Sequence, residues 1–391
     1  MKLTTNELRP EFLSSAGMVI KPADLSSSRA QMLGSHLGQM LVLNEPEVRR
    51  LLTGNEREFG RSTFKIKMPV DAEIIRIIPK YRSGLGQGSI QNNPLDIVIY
   101  EDIETKELGI VSIPRYSIKH QHFGFRYKDT AARAKLTRGA HIAAGTVLAD
   151  SPNIDENNDY RFGINVETAF MTVPGIIEDG IVISRSLQRK MSSKGYETRS
   201  VSWGAKKYPL NLYGDYDNYK PFPDIGDPIH PHGLLFALRD YNDLLAAVEM
   251  TPKALQEPDY HYDELVYATG ANGRVVDVQV YRDHRLINRS PTPTGMEVQA
   301  ARYHDAQMLF YQQLLEVYNE QKRQRGTAPR LTPEFSRLLV EALSMRPNSA
   351  RNKVTMLHRL EPLDEWRVEI TYEYDVIPDE GSKITDLFGG M

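Results

Sequence analysis

Residues 136–184 read LTRGAHIAAGTVLADSPNIDENNDYRFGINVETAFMTVPGIIEDGIVIS, and the fold turns on how this stretch is taken. Its β-branched and aromatic residues fall in short runs, so GINVETAFMTV and DGIVIS are predicted as strands. Pro174-Gly175 marks a turn between them. Glu178-Asp179 stands just before the second run. Adjacent carboxylates repel, and neighbours along a strand point to opposite faces. Burying such a pair is costly unless a turn or a cation relieves it. By itself the pair reads plainly as an acidic turn. The functional alternative is an acidic loop that reaches a metal–phosphate site.

Upstream, TFKIKMPVDAEIIRIIPKY and LDIVIYED predict further strands, joined by the turn-rich RSGLGQGS. Before them, SSSRAQMLGSHLGQMLVL sets Met32, Leu33, Leu37, Met40 and Leu41 at helical spacing behind a capping serine cluster. Arg29 opens that helix, where the helix dipole slightly disfavours a cation; by itself it reads as a surface arginine, and the functional alternative is an external anion. Downstream, ELVYATG and RVVDVQVY are predicted to form a hairpin through Ala271-Asn272-Gly273, since Asn-Gly tolerates positive φ. Two helices follow. The first carries Met308, Tyr311, Leu315 and Tyr318 on one face. The second carries Phe335, Leu338, Ala342 and Met345, with Thr332 as N-cap and Pro333 at its first position. QKRQRGTAPR joins them, which predicts an αα-hairpin with an exposed basic tip. EWRVEITYEYDVI alternates as a strand should and runs into PDEGSKITDLFGGM. There Gly381 lets backbone approach a phosphate and Lys383 offers a point charge, although the P-loop spacing is absent.

The chain has 391 residues, 40% hydrophobic and 25% charged, which is ordinary globular material for two or three domains. With 48 basic and 51 acidic residues the net charge is −3, so a uniformly basic nucleic-acid coat is excluded while a local basic groove is not. Cysteine is absent, which removes disulfides, thiol nucleophiles and thiolate zinc sites. MKLTTNELRPEFLSS lacks the apolar core of a signal peptide, and no window approaches a membrane span. An intracellular protein with no membrane partner is therefore expected. His120/His122 and His230/His232 lack a third ligand at a recognisable spacing, and Asp215-Tyr216-Asp217 reads as a solvated loop.

Four collinear segments together resemble the β subunit of multisubunit DNA-directed RNA polymerases. Gly145 through Asp150, Pro152, Asn165, Ala169-Phe170-Met171 and Glu178-Asp179-Gly180 match the family's G-x-V-L-A-D-G-P, N-x-x-V-A-F-M-P-W and E-D-[SG]-I phrases. NGRVVDVQVYRD is similar to its strand entering the flap, DVIPDEGSKITDLFGG to its lysine loop, and SRAQMLGSHLGQ to its R-A-L-M-G-x-N-M-Q-R-Q helix. Three departures stand out. Ser26-Ser27-Ser28 replaces an acidic pair, Asp386-Leu387-Phe388 replaces R-H-G, and the chain stops at Met391 before the second lysine of the loop. Such a divergent, shortened β resembles the split β subunits of giant bacteriophages, acting within an infected host cell.

The resemblance implies a β-rich α+β fold, with strands of the β-side double-psi β-barrel and an inserted flap domain. Residues 1–64 would form a hybrid-binding helical region, and 65–190 the barrel and wall strands with the acidic loop. Residues 191–365 would be the flap with its helical hairpin, and 366–391 the returning strand and lysine loop. It implies RNA synthesis by two-magnesium nucleotidyl transfer, with the main Mg2+ site supplied by a β′-like partner. Glu178 and Asp179 would help place the second, nucleotide-borne magnesium. Lys383, Arg29, Ser35 and Gln39 would contact nucleotide or RNA. The implied partners are other β-fragment chains, β′-like chains, template DNA, the transcript and nucleoside triphosphates, and the isolated chain would be inactive. Two rival readings use the same fold: a catalytically inactive RNA- or partner-binding barrel, and a virion structural protein.

Overall fold

Short β-branched runs dominate the sequence, and the computed structural model is correspondingly a strand-rich α+β protein. It describes residues 26–28, 32, 40–50, 52–62, 64–80, 95–161, 163–176, 180–269, 272–286, 295–346, 360, 363–382 and 384. The candidate site residues Arg29, Ser35, Gln39, Glu178, Asp179 and Lys383 all lie outside the described residues, as does the joining stretch RSGLGQGS.

The strands are β1 (Ile66–Lys67), β2 (Ala72–Pro79), β3 (Leu95–Asp102), β4 (Leu108–Pro114), β5 (Tyr116–His120), β6 (Phe123–Arg126), β7 (Lys128–Asp129), β8 (His141–Ile142) and β9 (Val147–Asp150). They continue with β10 (Ser193–Gly204), β11 (Lys207–Pro209), β12 (Leu234–Asp240), β13 (Glu264–Tyr267), β14 (Arg274–Arg282) and β15 (Asp364–Val376). Helices used below are α1 (Asn55–Ser62), α2 (Arg185–Lys190), α3 (Val298–Arg325) and α4 (Pro333–Ser344). The strands form sheets in the orders β4-β3-β2-β8, β14-β15-β10-β6-β5, β1-β9-β7 and β11-β12-β13.

The run IVIY in β3 shows how one sheet is buried on both faces. Side chains alternate along a strand, so Ile97 and Ile99 join Phe310, Leu314, Phe335 and Leu339 of the helical hairpin. Val98 and Tyr100 face the other way, onto Ile142, Leu148 and Ala149. A second core lies where β10, β14 and β15 meet α3, with Trp203 and Trp366 stacked at 6.3 Å. The alternating EWRVEITYEY becomes an interior strand of the five-stranded sheet, next to its β14 edge, paired with β10 from Ser193↔Val376 to Gly204↔Asp364 and with β14 on its other side.

The helical hairpin forms as expected. Thr332 accepts a hydrogen bond from Phe335 N at 3.4 Å, Pro333 occupies the first turn, and Phe335 and Ala342 are fully buried. Its basic tip is exposed as expected at Lys322, Arg323 and Arg330, and is tethered at Arg325 and beside Leu108. Arg325 donates to Lys106 O at 2.9 Å and pairs with Glu101, while Leu108 N bonds Arg330 O and Thr332 N bonds Leu108 O.

The expected β13–β14 hairpin is corrected. β13 pairs only with β12, and β14 pairs with β15. Asn272 does take a positive φ of 56°. Yet β14 gains far more from the long edge of β15 than a four-residue partner offers, and its start is held by Ile229 N bonding Gly273 O.

Candidate functional site

Three segments distant in sequence meet at the end of the β10–β15 pair where Ser193 faces Val376. The first follows the N-terminal motif. Leu43 bridges Ser193, Asn44 N bonds Ser192 O at 2.9 Å, and Asn44 Nδ2 donates to Asp375 Oδ1 at 3.3 Å. The second precedes the acidic pair, and Glu47 N bonds Gly163 O at 2.6 Å. The third leads to Lys383, and Gln188 Nε2 of α2 donates to Pro378 O at 2.6 Å. The flanks of the three candidate motifs are thus tied to one another, although the six residues themselves lie outside the described set.

Local chemistry explains each tie. Asn165, one of the motif matches, donates through N and Nδ2 to Glu47 Oε2 at 3.1 and 3.0 Å and through Nδ2 to Val48 O at 2.8 Å. Those donors hold the Glu47 carboxyl below its ordinary range, the Asn165 backbone N–H contributing most. At Pro174-Gly175 the turn forms as predicted. Ile176 N bonds Val173 O at 3.1 Å and Gly175 has φ +85°, the type II geometry that calls for glycine. Ser184 caps α2 by accepting from Leu187 N at 3.2 Å. Just before Lys383, Asp379 N donates to Ser382 Oγ at 2.9 Å, Ser382 N bonds Asp379 O at 3.0 Å, and Gly381 takes φ +80°.

The strands predicted over GINVETAFMTV and DGIVIS are a second correction. Residues 164–173 and 180–184 have no regular secondary structure, and only Gly163 makes a β-bridge, to Glu47. Phe170 is 87% exposed, Met171 73% and Val182 65%. β-propensity reports how well a side chain suits a pleated surface, but a strand also needs an edge to pair with. Among the described residues no strand runs beside this segment.

Beside it lies a cleft of about 400 Å³ between residues 44–47, β7, the 152–164 turn and α2. Lys128, Arg161 and Lys190 line it, with Glu45 and Glu47. Lys128 is exposed, yet partial desolvation by the surrounding protein, then the neighbouring Arg161, holds it below the ordinary lysine range against the pull of Asp150 and Asp155. Sequence reasoning missed these three cations. They come from three separate elements and share no spacing that could have drawn attention to them.

Among the described residues no group of three or more His, Asp or Glu side chains is arranged to hold a metal ion. His230 and His232 stack on each other at 5.1 Å, and Asp215 accepts from Asp217 N and Asn218 N in a tight loop. Nor, among the described residues, is any helix long and apolar enough to cross a membrane. Compared with protein-family models and with curated proteins, the chain matches none.

Proposed function

We propose that this chain is one part of a composite DNA-directed RNA polymerase, a split β-subunit fragment that contributes nucleotide- and RNA-contacting residues to an active site shared with other polypeptides. The observation that carries this reading is the convergence of flanks. Residues 43–47, 163–165, 188–193 and 375–378 lie far apart in sequence and bond to one another. The resemblance requires the segments around Arg29, Glu178-Asp179 and Lys383 to build a single site. The exposed run around Phe170, Met171 and Val182 supports the composite form, because apolar strand-like sequence without an edge is what a chain awaiting a partner strand presents.

In this reading β2, β3 and their neighbours belong with the returning strand β15 to a double-psi barrel completed by another chain, and residues 191–365, β10 included, act as the flap. Magnesium, held by a β′-like partner and by the incoming nucleotide, would stabilise the attacking and leaving oxygens of the transfer. This chain's part is positioning. Glu178 and Asp179 would orient the nucleotide-borne ion, Lys383 the transcript end or nucleotide phosphate, Arg29 the triphosphate, and Ser35 and Gln39 the RNA backbone. Affinity capture of the tagged chain from its native cells tests the reading. It should bring down β′-like chains carrying an aspartate triad; capture of virion shell proteins alone would favour the structural rival.

A further inference from the structure

We propose that the cleft beside α2 binds a phosphate-class oxyanion, held between Arg161 and Lys128 with Lys190 on its rim. Arg161 has five donors in a fixed fork. Its Nε is buried without a hydrogen-bond partner, and its nearest paired carboxylate, Asp155, is 3.7 Å away, beyond hydrogen-bond length. Lys128 donates to Pro152 O at 2.9 Å, and that is its one hydrogen bond among the described residues. The side chain is exposed, and the adjacent Arg161 guanidinium disfavours its charge; an anion placed between the two cations relieves that repulsion.

Three nearby carboxylates are largely committed to other donors, while Glu45 on the cleft wall is exposed. Asp150 takes Lys65 Nζ at 2.5 Å and Ser151 N at 2.8 Å. Asp155 accepts from Asn157 N and Asp159 N at 2.9 and 2.8 Å, and Glu47 from Asn165. A guanidinium beside an ammonium suits a phosphate's several oxygens, the first by paired donors and the second as a point charge. The site does not depend on the polymerase reading, since its three cations, Lys128, Arg161 and Lys190, are not among the matched motif residues.

Two sources share this chemistry: a free phosphate or pyrophosphate, and the phosphodiester backbone of a nucleic acid. Calorimetric titration of the full chain at low salt, with inorganic pyrophosphate and separately with a short oligothymidylate, distinguishes them. Arg161→Gln should weaken whichever probe binds by about tenfold, the scale of a lost charged hydrogen bond, and Lys128→Gln, at an exposed position, by about threefold. Lys190→Gln, at an exposed position, should weaken it about threefold, and Lys322→Gln on α3 should leave it unchanged. Circular dichroism establishes that each variant is folded. Should Arg161→Gln lose its fold, Lys128→Gln and Lys190→Gln decide, and wild-type affinity in both overturns the proposal. Failure of the wild type to bind either probe also overturns it, and leaves capture of β′-like chains as a separate question.

Discussion

The Lys65 side chain is 1% exposed, and its ammonium lies 2.5 Å from Asp150 Oδ2 and 2.9 Å from Asn158 Oδ1. Removing one member of such a pair strands the other charge in a poorly solvated place. Lys65→Ala is expected to cost about 3 kcal/mol, measured by urea unfolding. His304 carries the pH dependence. Burial, then the neighbouring His284, pushes its imidazole down to about 4, from 6.5 when unfolded. The unfolded chain therefore takes up a proton that the folded chain refuses. Stability should be flat in this respect above pH 6.5 and fall as pH drops from there toward 4. His304→Gln should remove most of that slope, while His284, lowered by burial too, leaves a remainder. In the proposed polymerase reading, Lys383 serves function rather than stability. In the assembled enzyme Lys383→Ala should slow nucleotide addition by at least about tenfold, roughly 1.4 kcal/mol of barrier, with the melting temperature unmoved. An equal loss of both would assign the lysine a structural role. Among residues, the Pro174-Gly175 turn was legible because its chemistry is local. Arg161 and Lys128 were not, since their pairing exists only after β7 and the 152–164 turn pack together.

Elements differ in how much of their fate is local. α4 is written almost entirely in its own residues: a Thr332 cap, Pro333 at the start, and an apolar stripe ending at Met345. Thr332→Ala should cost about 1 kcal/mol, read from the urea midpoint with an unchanged slope; a change within error would mean that docking of Leu108 against Leu331 holds the helix end without the cap. β15 was legible for a related reason, since its strict alternation suits a strand at the centre of a sheet. Asn272-Gly273 misled because a turn signal fixes backbone angles at two residues and says nothing about which edge the next strand will find. The run around Phe170 misled in the opposite sense. Its residues favour a strand, and this chain offers no described edge to receive one.

At the scale of the molecule, two cores tie the helical hairpin to both large sheets, and the candidate motifs' flanks gather at one end of the β10–β15 pair. That gathering is what the proposed composite-polymerase account builds on, since residues 43–47 and 375–378 meet near α2. The account places chemistry at the shared site and leaves assembly to the apolar surfaces. Activity and assembly should then separate under mutation. The decisive measurement is template-directed nucleotide addition by the captured multi-chain assembly, comparing wild type with Asp179→Ala and Glu178→Ala. The account predicts RNA synthesis by the wild-type assembly, none by the isolated chain, and at least about tenfold slower addition by either variant at unchanged subunit stoichiometry. RNA synthesis by the isolated chain, or wild-type rates in both variants, would contradict it.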